Sequence, residues 1–165
     1  MQSNYNIGNF DAAASYADTL AGMPGLDETT LHNVLLIKAR SLQRFNKQND
    51  ALAVYKQLES SKTGAIAAEA RFNIASIYLQ QDKVGEAEAA ANNTIKLSAG
   101  QDYWIVKSYI LLADILTKQK DYFNAQATLQ SIVKNTKIAE QKKEASEKLE
   151  QVKKLEKQQS KLSEE

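Results

Sequence analysis

The chain has 165 residues, 43% of them apolar and 25% charged, which is enough apolar material for a folded core. One proline, six scattered glycines and a wealth of Ala, Gln, Lys, Leu and Glu favour helices over sheet. Lys and Arg total 21 against 20 acidic residues, a net charge of +1, so no global field draws in nucleic acid or an anionic membrane. The absence of cysteine excludes disulfide frameworks, thiolate metal sites and thiol nucleophiles, and leaves the compartment open.

In chain order, Met1 to Phe10 lacks the charged and apolar regions of a signal peptide, and no run approaches the roughly 18 apolar residues of a membrane span. Asn4 to Leu20 reads as the second half of a helical unit whose first half is missing, so the chain is expected to be a piece of a longer protein. Apolar periodicity predicts helices at 9–21, 27–45, 47–60, 65–81, 83–97, 103–119, 122–135 and 137–158. Two segments, Ala21 to Asp27 and Ser60 to Gly64, read as loops between hairpins. Neither separates domains, so residues 1–165 are expected to form one domain, divided into a partial unit (1–26), three units (27–62, 63–99, 100–135) and a charged tail (136–165).

One phrase recurs four times: NFDAAASYADTL from Asn9, NKQNDALAVYKQL from Asn46, DKVGEAEAAANNTI from Asp82 and DYFNAQATLQSIV from Asp121. Each opens on Asn or Asp, a residue able to cap a helix start, and soon reaches a small residue, Ala13, Ala51, Ala87 or Ala125. These alanines lie 38, 36 and 38 positions apart, a period of stacked helical hairpins. The three later phrases each follow a second helical pattern, with Ala39, Ala75 or Ala113 three residues before Leu42, Tyr78 or Leu116.

On these residues the chain resembles the tetratricopeptide repeat family over about positions 5 to 135. The matches pair Ala39 with Ala51, Ala75 with Ala87 and Ala113 with Ala125, and add Tyr55 as the aromatic of a second helix. The glycine usual before each turn is replaced by Asn46, Asp82 and Lys120, and the usual proline after the second helix is missing from the three full repeats. The resemblance implies an all-α, right-handed superhelix of antiparallel hairpins with a C-terminal capping helix. The stretch YWIVKSYILLADILTKQKDYFNAQATLQSIV, with a helix after it, looks most like bacterial cell-envelope members.

Half the positions of the tail are charged, yet Ile138, Ala145, Leu149 and Val152 keep one apolar stripe. A capping helix is expected there, supported by Glu144–Lys148 and Glu150–Lys154 pairs at i,i+4 and fraying after about Gln158. A coiled coil through Leu155 and Leu162 is the other reading, but no sustained heptad is present.

Residues that could carry chemistry are few. His32 is the sole histidine, too little for a triad or an imidazole zinc site, and the acidic residues show no EF-hand spacing. The glycines form no phosphate loop, and Lys62-Thr63-Gly64 runs in the wrong order for one. Glu86 and Glu88 point to different sides of a helix. Tyr103 and Trp104 read as packing between repeats, or else as an interface anchor. No enzyme, cofactor or metal is expected, and an RNA-reading repeat is expected to carry a basic excess that this chain lacks.

The resemblance implies a protein-binding scaffold. Its first helices would line a concave groove through Asn33, Leu36, Arg40, Gln43 and Arg44, then Glu69, Phe72, Ser76, Leu79 and Gln80, then Lys107, Ile110, Asp114, Thr117 and Lys118. Four cations against two anions there favour an acidic or C-terminal peptide. The Lys and Asn clamp that some members use for chaperone tails is not reproduced, since Leu36 and Arg40 stand where it would begin. Reversing Arg40 and Arg44 to Glu is expected to weaken binding while leaving stability within about 0.5 kcal/mol. The alternative is a structural spacer of a larger envelope protein, self-associating through the incomplete N-terminal repeat.

Overall fold

The computed structural model describes residues 10–162, and these form eight helices with no strand among them. They are α1 (Phe10–Ala21), α2 (Glu28–Arg44), α3 (Gln48–Leu58), α4 (Gly64–Gln80), α5 (Val84–Leu97), α6 (Asp102–Lys118), α7 (Tyr122–Asn135) and α8 (Ala139–Leu162). The all-α expectation holds. Asn9, expected to cap the first helix, lies outside the described residues. α8 continues to Leu162, past the point at which fraying was expected. No helix among the described residues is long and apolar enough to cross a membrane.

The chain divides into two compact units, Met1–Ile77 and Tyr78–Glu165, with the division inside the last turn of α4. A single undivided domain was the sequence expectation.

Three turns share one hydrogen-bond design. After α2 the Lys47 amide donates to the Leu42 carbonyl at 2.9 Å and the Asn46 amide to the Gln43 carbonyl at 3.1 Å. Lys83 to Tyr78 and Asp82 to Leu79 repeat the pattern after α4, as do Asp121 to Leu116 and Lys120 to Thr117 after α6. This is the Schellman closure, which needs a left-handed residue just past the helix. Asn46, Asp82 and Lys120 have φ of 60°, 64° and 64°, and are the non-glycine residues with positive φ among those described. They are the three positions at which the resembled family carries glycine.

This geometry corrects the capping assignment. Asn46 and Asp82 close the helix before them, and the residues that open α3 and α5, Lys47 and Lys83, make no side-chain cap. Asn and Asp tolerate the left-handed region better than most side chains, so their presence there is economical. In the third turn the left-handed residue is Lys120, and Asp121 is free to cap α7 by accepting from the Asn124 amide at 3.1 Å. A Lys side chain has no short polar group to favour the left-handed region as Asn and Asp do, so Lys120→Gly should raise stability by about 0.5 to 1 kcal/mol in a denaturant titration.

The repeating alanines are buried throughout. Ala13, Ala39, Ala51, Ala75, Ala87 and Ala125 are inaccessible to solvent and Ala113 nearly so. One helical turn further along the second helices, Ala17, Tyr55, Ala91 and Leu129 are also fully buried. A small side chain at the crossing lets two backbones approach, and in α3 and α7 the larger Tyr55 and Leu129 beyond it fill the space that opens.

In the first unit, α1 and α3 both pack on α2. Asp27 caps α2 through its carboxylate, accepting from the Thr30 amide at 3.0 Å and the Thr30 hydroxyl at 2.6 Å. Those two bonds hold its carboxyl below the usual aspartate range. The α3–α4 loop is tied back to α2 by Lys62 with Glu28 at 2.6 Å and by the Ser61 hydroxyl with His32 Nδ1 at 2.8 Å. His32 therefore has a structural partner, and Ser61 is itself buried and accepts from the Thr63 amide at 3.3 Å. Because Glu28, His32 and Arg40 meet Lys62, Ser61 and Glu69, α4 runs alongside α2 in the same direction.

In the second unit, α6 packs between α5 and α7, and α8 lies mainly on α7. Its core joins Ile110, Ala113, Ala125, Leu129 and Ile132 to Ala145, Leu149 and Val152 of α8. Three residues of the apolar stripe expected of the tail, Ala145, Leu149 and Val152, thus form the docking face, while Ile138 precedes α8 and is outside this core. Leu155, which a coiled coil would need, is 41% exposed and outside that core.

Candidate functional site

The fifteen residues expected to line a groove fall in both units. In the first, Asn33 and Arg44 are exposed, and the Asn33 amide donates to the Thr29 carbonyl at 3.0 Å. Gln43 is half-buried and accepts from the Tyr55 hydroxyl at 3.0 Å. Leu36 is buried in the helix packing and offers no surface to a partner. Phe72 and Ser76 are half-buried on α4.

Arg40 and Glu69 are brought together as a fork. Arg40 Nε and Nη2 donate to the two carboxylate oxygens of Glu69, each at 2.5 Å, and the Glu69 side chain is only 9% exposed. Bidentate geometry at a partly desolvated position makes this a strong pair. It overturns half of an expectation: Arg40→Glu would leave two carboxylates facing one another, so a cost of about 2 kcal/mol replaces a neutral surface change.

In the second unit Leu79 is half-buried, Gln80 exposed and Ile110 buried. Thr117 is half-buried and spends its hydroxyl on the Ala113 carbonyl at 2.7 Å. Lys107 donates to both oxygens of Glu144 at 2.8 and 3.0 Å, and Lys148 donates to both oxygens of Asp114 at 2.7 and 2.9 Å. Gln141, fully buried, donates to the Tyr103 carbonyl at 2.7 Å. Residues 103, 107 and 114 thus meet 141, 144 and 148 in order, so α8 lies parallel to α6. This is the relation that α4 bears to α2.

The expected Glu144–Lys148 pair within α8 is replaced by these cross-helix bonds, and Glu150 pairs with Lys153 at 2.8 Å instead of Lys154. The first departure has a physical cause, whereas the second exchanges one exposed partner on α8 for another. A long side chain near a partly buried neighbouring charge gains more there than from an exposed partner on its own helix. Burial raises the Asp114 carboxyl above the usual aspartate value, against the pull of Lys148. Its ionised form therefore costs some stability near neutral pH, a cost relieved as pH falls through that raised value.

These pairs alter the electrostatics expected of the face. Arg40, Lys107, Lys118 and Lys148 are matched by Glu69, Glu144, Asp82 and Asp114, since Lys118 also pairs with Asp82. Within the second unit the three cations and three anions of these pairs balance, and in the first unit Arg44 stands outside the Arg40–Glu69 pair.

A site that the sequence reading missed lies on another face of α6. Val106, Tyr109, Leu112 and Leu116 follow one another at three- and four-residue spacing and are half-buried or exposed. A cleft of about 480 Å³ opens over Val106 and Tyr109, walled by Thr128, Ser131 and Asn135 of α7. A second of about 180 Å³ lies over Leu112 and Leu116, walled by Glu88 and Asn92 of α5. The spacing was visible in the sequence, but Val106, Tyr109 and Leu112 were given no role there, and Leu116 was read only as part of the repeat.

Comparison of the chain with protein-family models, with curated proteins and with solved structures gives no match. The functional reading therefore rests on the residues.

Proposed function

We propose that the chain is a protein-interaction scaffold of the tetratricopeptide type, a right-handed superhelical array whose first helices present a line of side chains to a segment of another protein. The observation that carries this reading is the recurrence of one turn, with its left-handed residue at positions 46, 82 and 120, in register with buried alanines on both sides. Like hairpins set side by side cannot bury an end by themselves, and a polar-faced terminal helix such as α8 meets that need. Its ion pairs tie it to the first helix of the last hairpin, the place of a further first helix. The bacterial cell-envelope character belongs to the same proposal.

The test uses exposed positions and spares Arg40. Asn33→Lys with Arg44→Glu should leave stability within about 0.5 kcal/mol while depleting the proteins that co-purify from native cells. A melting temperature equal to the parent's with an unchanged set of co-purifying proteins would show that this face does not bind.

A structural, self-associating spacer is the second reading, and Tyr16 favours it. Its counterpart one repeat on, Val54, is 5% exposed in a full hairpin, whereas Tyr16 on α1 is 54% exposed. Sedimentation over a range of concentrations separates the two, since only the spacer reading predicts a rising mass.

A further inference from the structure

The two clefts of the second unit share Tyr109 and Thr128, and so form one furrow floored by α6. From Val106 to Leu116 it spans ten residues of rise, about 15 Å or nearly three helical turns. α5 and α7 form its walls, and among the described residues they pack on α6 and not on each other. The floor is apolar, while the α7 wall carries neutral hydroxyl and amide groups. The charged residue in either cleft is Glu88, at the end nearest Leu116. Gln119 reaches that carboxylate only at 3.5 Å.

We propose that this furrow is a second docking surface, which takes an amphipathic helix of a partner protein with apolar residues at i, i+3 and i+7 and a Lys or Arg at the end that meets Glu88. Length and spacing select a helix of about three turns, because its apolar stripe matches that of α6. Charge selects the basic end, since the lining offers one anion and no cation. The face differs from the one bearing Lys107, Ile110 and Asp114, so the proposal stands or falls separately from the concave-face reading.

Two synthetic helical peptides of about three turns serve as probes, both with Leu at i, i+3 and i+7 and differing in a terminal Lys or Glu. The isotopically labelled full chain is titrated with each by NMR. The Lys peptide should shift amides of 106–116 and 127–135 and bind about threefold to fivefold tighter than the Glu peptide, the scale of one exposed ion pair. Glu88→Lys, a change at a half-buried wall residue, should reverse that preference with the melting temperature kept.

Binding of neither peptide, equal binding of both, a preference untouched by Glu88→Lys, or shifts confined to other helices would each overturn the proposal. So would shifts of the same amides on raising protein concentration alone, which would give the furrow to a second copy. An apolar dye that fills the cleft while both peptides fail would make it a small-molecule site.

Discussion

Leu129→Ala should lower the unfolding free energy by about 2 to 5 kcal/mol, read as a shift of the urea midpoint at constant slope. Leu129 is fully buried at the meeting of α6, α7 and α8, where it joins Ile110, Ala125, Ala145 and Leu149 in one core. Truncation removes its transfer free energy, and the alanines around it cannot swing in to close the cavity. The matched surface change is Leu97→Ala, since Leu97 is 56% exposed, and it should stay within about 0.5 kcal/mol. Equal effects at the two positions would mean that α8 does not cover α7 as described.

A chain ended after Lys137 should lose the protection of α6 and α7 as well as α8 itself. Leu149 and Val152 are each nearly buried, and at about 1.5 to 3 kcal/mol per side chain their docking contributes roughly 3 to 6 kcal/mol. That is a large share of the stability of a domain this size. The same cut uncovers Leu129 and Ile132 and removes the Glu144 and Lys148 ends of two ion pairs with α6. Hydrogen exchange should show the amides of α6 and α7 opening far more often than in the full chain. Unchanged protection would reduce α8 to an appendage.

The hairpins and their register were legible because an alanine at a crossing is a constraint on one residue, repeated at a fixed interval. Ala39, Ala75 and Ala113 could be found by spacing alone, and helix limits fell within two residues of those expected except at the last helix end. The turns were legible only in part. Asn46 and Asp82 look like caps by composition, and the choice between closing one helix and opening the next depends on a backbone angle that composition does not encode. Lys120 gives no signal beyond its place in the repeat.

The candidate face was harder to read, because side chains of equal polarity on α2 and α6 meet different fates. Leu36 and Ile110 sit on the expected stripe yet are buried, while Lys107 and Asp114 reach α8 instead of solvent. Pairing at i,i+4 is the nearest choice along the sequence. Reach to a parallel helix about three dozen residues on becomes visible only once the helices are placed. Tyr109 was passed over for a related reason, since an apolar residue in a buried-looking helix reads as core until its exposure is known.

The claim on which the rest depends is that small residues at the repeating crossings set the helix packing. Thermal unfolding of Ala113→Leu beside Ala89→Leu tests it most directly, as Ala113 is almost fully buried at a crossing and Ala89 is exposed on α5. The account predicts a loss of about 1 to 3 kcal/mol for Ala113→Leu and a melt within error of the parent for Ala89→Leu. Two unaltered melts, or two equal losses, would contradict it.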